Sequence, residues 1–131
     1  MTRQQIESAV SSWQQKLNLS HWTIVVRWDY VSDADAGAQI NIVDGRDLAH
    51  ISFMYGITEE DPTTVNHYIA HELLHMHLND IYCTPEKMLD GDNPMLLRFL
   101  HNEVEKVVDR LAVVVSRGYM PDSLKEDTNA N

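Results

Sequence analysis

The chain has 131 residues, a formal net charge of −10, and 44% hydrophobic against 23% charged residues, which suits one domain with a core and is too short for two ordinary ones. Twenty Asp and Glu against ten Lys and Arg would repel a phosphate backbone over most of the surface, so no nucleic acid is expected as a partner. No apolar run nears the ~20 residues that cross a bilayer, no secretory signal is seen, and the lone Cys83 excludes an intrachain disulfide; no membrane association and a cytoplasmic location are expected.

Ile6, Val10, Trp13 and Leu17 recur at helical spacing and predict an amphipathic helix ending near Asn18. The period then changes to two. Trp22, Ile24, Val26, Trp28 and Tyr30 alternate with Thr23, Val25, Arg27 and Asp29, the pattern of a strand. Ala38, Ile40 and Ile42 form a second, stopped by Asp44-Gly45, a turn signal. Ala49, Ile51, Phe53 and Tyr55 form a third, closing at Gly56. The tight connections predict a small, mostly antiparallel sheet of three strands.

Asp61-Pro62 reads as an N-cap followed by proline at the first helical position. Val65, Ile69, Leu73 and Met76 then carry a helix through about Asn79. Cys83 to Asn93, with Pro85 and Gly91, reads as a loop. A last helix from Pro94 to Gly118 would bury Leu97, Leu100, Val104, Val108, Leu111 and Val115. The order predicts an α+β domain over residues 1–120, followed by a polar tail, 121–131, expected to be disordered.

The second helix carries His71-Glu72-Leu73-Leu74-His75. Histidines at i and i+4 share a helix face, so both imidazoles can reach one metal ion. They point away from the Val65/Ile69/Leu73/Met76 stripe, leaving one side of the helix to pack and the other to line a cleft. Glu72 is placed as a general base for a water that zinc would activate. Two histidines need a third protein ligand. A histidine six residues beyond His75 would supply it in one common pattern, but Ile81 stands there, which also disfavours a metal-dependent nuclease. The other pattern takes a glutamate from a following helix. Glu103 and Glu105 lie on opposite flanks of the last helix's apolar stripe, and periodicity does not choose between them.

His71 to Leu78, the strand Ala49 to Tyr55 before it and Glu105 to Ala112 after it together resemble the zincin metallopeptidases of the gluzincin type. They also resemble the small zincin-like proteins of phage and prophage genomes. The resemblance implies a minimal zincin-like fold: an N-terminal helix, a three-stranded sheet, an active-site helix and a C-terminal helix. It implies zinc held by His71, His75 and Glu105, because gluzincins often place an acidic residue four after the ligand glutamate, and Asp109 follows Glu105 at that spacing. Asn102-Glu103 matches the Asn-Glu pair of the thermolysin group, so Glu103 stays as the alternative ligand. The implied activity is hydrolysis of a peptide or protein substrate, with Leu48 to Tyr55 as the edge strand that receives it. The competing function is a zincin-fold peptide- or partner-binding protein with a structural or vestigial zinc site. Tyr82 and His101 are candidates for stabilising an oxyanion, without a motif to support either. His67 and His77 read as solvated or supporting histidines.

Overall fold

A computed structural model describes residues 1–28, 36–43, 45–89 and 93–125, with backbone alone at 80, 82–87 and 89. The α+β order is as expected: helix α1 (Arg3–Lys16), strands β1 (Thr23–Arg27), β2 (Ala38–Ile42) and β3 (Leu48–Phe53), then helices α2 (Pro62–Leu89) and α3 (Pro94–Gly118). Among the described residues no helix is long and apolar enough to cross a membrane.

α1 starts at a reciprocal cap, in which the Thr2 side chain accepts from the Gln5 N–H and the Gln5 side chain accepts from the Thr2 N–H. Its stripe Ile6, Ala9, Val10 and Trp13 is fully buried, and Asn18, left-handed at φ 59, turns the chain away.

The sheet is mixed, with strand order β1-β3-β2. β2 runs antiparallel to β3 through a tight turn, Val43 N–H donating to Leu48 C=O at 2.9 Å and Gly45 at φ 75. That hairpin leaves one side of β3 free, and β1 pairs there in parallel register. β3, expected at the edge, is therefore the central strand. Burial explains the choice: Ala49, Ile51 and Phe53 are completely covered, whereas β2 alternates between exposed and covered positions. The edge strand beside α2 is β2.

α1 and α2 cover the sheet face that carries Ala49, Ile51 and Phe53, with Val65, Ile69, Ala70 and Leu73 of α2 in the same core. α2 runs to Leu89, so the segment expected as a loop from Cys83 is helical to that point. Pro85 removes one backbone donor, but Glu86 to Leu89 are good helix formers and continue the turn; residues 90–92 lie outside the described set.

α3 begins at Asn93, whose side chain accepts from the Leu96 N–H at 3.0 Å, with Pro94 next. It packs on α2 through Val108 and Ala112 against Leu74. Leu111, expected in the core, is 42% exposed, because α3 lies on α2 and nothing described covers its outer flank. The tail is not wholly disordered either: Pro121 and Leu124 are buried, and a short 3-10 turn over Asp122–Leu124 lies against α1. Residues 126–131 lie outside the described set.

One polar side chain is enclosed in this core. Asn66 of α2, 1% exposed, accepts from Trp13 Nε1 at 2.6 Å and donates to the carbonyls of Ser116 (3.1 Å) and Tyr119 (2.8 Å). It ties α1 and the end of α3 to α2. Asn66→Ala strands the buried Trp13 N–H and removes the donor to two part-buried carbonyls, and a buried unsatisfied group costs about 1–3 kcal/mol. Urea unfolding of Asn66→Ala should therefore show a loss of about 2–3 kcal/mol with an unchanged m-value. A loss under about 1 kcal/mol would mean that water replaces the side chain freely.

Candidate metal centre

His71 and His75 project from α2 and Glu105 from α3, where the two antiparallel helices pack side by side. Their ligand atoms all lie within 4.8 Å of one another. His75 Nε2 is 3.0 Å from Glu105 Oε1, His71 Nε2 is 3.6 Å from Glu105 Oε2, and the two Nε2 atoms are 3.2 Å apart. These separations straddle the ~3.3 Å edge of a tetrahedron about an ion ligated at ~2.0–2.1 Å. Glu103 takes no part: it pairs with Lys106 at 2.9 Å on the outer side of α3.

The protons point the same way. His71 Nδ1 lies 3.1 Å from Asp109 Oδ1, so Nδ1–H donates to that carboxylate and the Nε2 lone pair turns inward. Asp109 thus does for His71 what carboxylates behind ligand histidines commonly do, setting the tautomer and the ring orientation. Two imidazole nitrogens and a carboxylate then converge with more lone pairs than protons to fill them, a donor set that suits a divalent cation, and zinc in particular.

Glu72 lies between His71 and His75 in sequence and faces β2 rather than the cluster. Its Oε2 accepts from the Ile40 N–H at 2.9 Å. In an antiparallel edge strand alternate residues turn both main-chain groups outward. The Ile40 bond to Glu72 identifies Ala38, Ile40 and Ile42 as the outward set. Gly37 permits this approach of β2 to α2, since a Cβ there would overlap the Tyr68 ring. β2, α2 and α3 enclose a cleft of about 590 Å³, with Glu72, His71, His75 and Glu105 in its wall and Gln39, Asn41, Leu78, Asn79 and Val104 around them.

His101 also lines the cleft and its charge helps lower His75. His77 faces away, its Nε2 2.7 Å from the Leu17 carbonyl at the end of α1. His67 stacks at a tilt on His71, ring centres 6.1 Å apart, and is no member of the ligand cluster. The side chains of Tyr82 and Cys83 lie outside the described set. The contribution of β2 was not foreseen: its alternation marks a strand, but the order of strands in a sheet leaves no trace in the period of any one of them.

Comparison with protein-family models, with curated proteins and with solved structures finds no match for this chain.

Burial lowers His75 from its ordinary value. Burial raises Glu72 to about 8, opposed by the Ile40 N–H and reinforced by the Glu105 charge. In metal-free protein the unfolded chain releases the Glu72 proton near 4.5 while the folded chain keeps it to about 8. Across that window the unfolded state binds fewer protons, so the Glu72 contribution to stability falls as pH rises. Denaturation of chelator-treated protein should show wild type losing stability relative to Glu72→Gln between those two values, then levelling; the His75 contribution, lost as pH falls, is common to both and cancels. Parallel pH profiles for the two proteins would place the carboxyl in water.

Proposed function

We propose that this chain is a zinc-dependent metallopeptidase of the gluzincin type, with His71, His75 and Glu105 as the metal ligands and Glu72 as the catalytic residue. The observation that carries the reading is the convergence of those three ligand groups beside a carboxylate that is not itself a ligand, on the wall of a cleft bounded by a strand edge.

Zinc, when bound, would lower the pKa of a water toward 7 and polarise the substrate carbonyl. The chain supplies the remainder. Asp109 holds the His71 ring with its Nε2 free to ligate. Glu72, as carboxylate, accepts a proton from the attacking water and passes it to the departing amine nitrogen, so the proton count closes within one turnover. The neighbouring cation favours the ionised form of Glu72 that this role requires and offsets the effect of burial. An extended peptide would pair with the outward main-chain groups of β2 other than the Ile40 N–H, which Glu72 holds, by strand addition with its scissile carbonyl against the cluster. This assigns to β2 the role first expected of Leu48 to Tyr55. Among the described residues no Lys or Arg lines the cleft, which favours affinity from main-chain hydrogen bonds and apolar contact.

Zinc-loaded wild type and Glu72→Gln, assayed against a mixed library of unstructured peptides with cleavage read by mass spectrometry, test the reading. The variant should keep its metal and lose cleavage by ~10²–10⁴-fold, the range for removing a general base. Equal cleavage by both proteins contradicts the mechanism. Zinc-loaded wild type that binds peptides and cleaves none leaves the peptide-binding alternative in its place.

A further inference from the structure

α3 carries an apolar arc wider than its packing on α2 covers: Val104 touches the Leu74/Val108/Ala112 cluster, and the arc continues from there onto exposed surface. Leu97, Leu100, Val104, Val107, Leu111 and Val114 recur at spacings of three and four, the a and d positions of two and a half heptads. The face that meets α2 is centred on Val108 and Ala112. Along this seam Val107 and Leu111 are each 42% exposed and Val114 is 70% exposed, while Leu97, Leu100 and Val104 are half-buried, so its C-terminal half is open apolar surface.

The charges beside the seam identify its occupant. Glu103 and Arg110 flank it seven residues apart, both at the position before an a residue. Antiparallel pairing of two α3 helices about a two-fold axis between Val104 and Val107 sets Val104 on Val107, Leu100 on Leu111, and Glu103 beside the partner subunit's Arg110. The symmetry makes that ion pair twice. Parallel pairing would set Glu103 and Arg110 beside Val108 and Val115 and forfeit both pairs. The chain's charge of −10 opposes association of copies, but α3 holds Arg98, Lys106, Arg110 and Arg117 against Glu103, Glu105 and Asp109, so this face escapes the general repulsion.

We propose that the chain forms a two-fold dimer through antiparallel packing of α3 on the α3 of a second copy, along the Leu97–Val114 seam. Val104 belongs both to this seam and to the wall of the cleft, so the second copy closes against the rim of the candidate site. One helix face per copy lies at the small end of stable interfaces, and a dissociation constant of about micromolar order follows.

Sedimentation velocity on the full chain from about 1 to 200 μM reads the association directly. Wild type should pass from monomer to dimer across that range. Leu111→Glu, at an exposed position, should weaken dimerisation at least about tenfold with unchanged far-UV circular dichroism. Glu103→Arg alone should weaken it, and the double swap Glu103→Arg with Arg110→Glu should restore it. A wild type that stays monomeric throughout overturns the proposal, as does a dimer indifferent to Leu111→Glu. A double swap no tighter than the single overturns the antiparallel register.

Discussion

Three chain segments meet at Asn66. Its carboxamide, shut away from water, receives the Trp13 indole N–H and donates to two carbonyls where α3 gives way to the C-terminal turn. A buried amide is tolerated only with its hydrogen bonds made, so this one admits few arrangements of the three helices. The consequence reaches the cleft. With the end of α3 pinned against the first turns of α2, the two helices run antiparallel in one register. In that register Glu105 stands across from His71 and His75 and Asp109 stands behind His71. A shift of one residue along α3 would turn Glu105 by about 100° away from the histidines.

The same register gathers carboxylates and imidazoles at one place. Glu105 and Asp109 face two imidazoles, one of them depressed in basicity by burial, and Glu72 lies beside them, raised by burial. A cation bound there, as proposed, would stand among these groups. The lone pairs would then have a single target and every carboxyl would be favoured in its ionised form. The Ile40 N–H at Glu72 acts in that direction too, donating to the carboxylate from a strand edge that has no partner strand among the described residues. If the cluster binds metal as proposed, folding energy and metal affinity are coupled, because the helix register that buries Asn66 also brings His71, His75 and Glu105 together.

Much of this was readable in the residues, because local periodicity and motif spacing are local properties. The α1 stripe, the three alternating segments as far as they are described (Asp29 and Tyr30 lie outside the described residues) and the His71/His75 face of α2 lie where their spacing puts them. What failed depended on distant contacts. Pro85 looked like a helix end because its missing donor is visible in sequence, whereas the helix formers after it outweigh one lost bond. β3 looked like an edge by analogy with the zincins, whereas its burial on both sides follows from the parallel docking of β1. Leu111 looked like core because it lies on an apolar arc, but that arc is wider than the surface α2 offers. The choice between Glu103 and Glu105 was symmetric in periodicity and is broken only by which flank of α3 turns toward α2. Asn66 carried no signal, since a polar residue beside a core stripe reads as solvated until its three partners are in view.

The central claim is that α2 and α3 jointly hold one metal ion. Elemental analysis of untagged protein, purified without chelator in zinc-replete medium, tests it most directly when wild type is compared with Glu105→Ala and Glu103→Ala. The account predicts about one zinc ion per chain in wild type and in Glu103→Ala, and loss of the metal in Glu105→Ala. No metal in wild type, or zinc retained in full by Glu105→Ala, would contradict it.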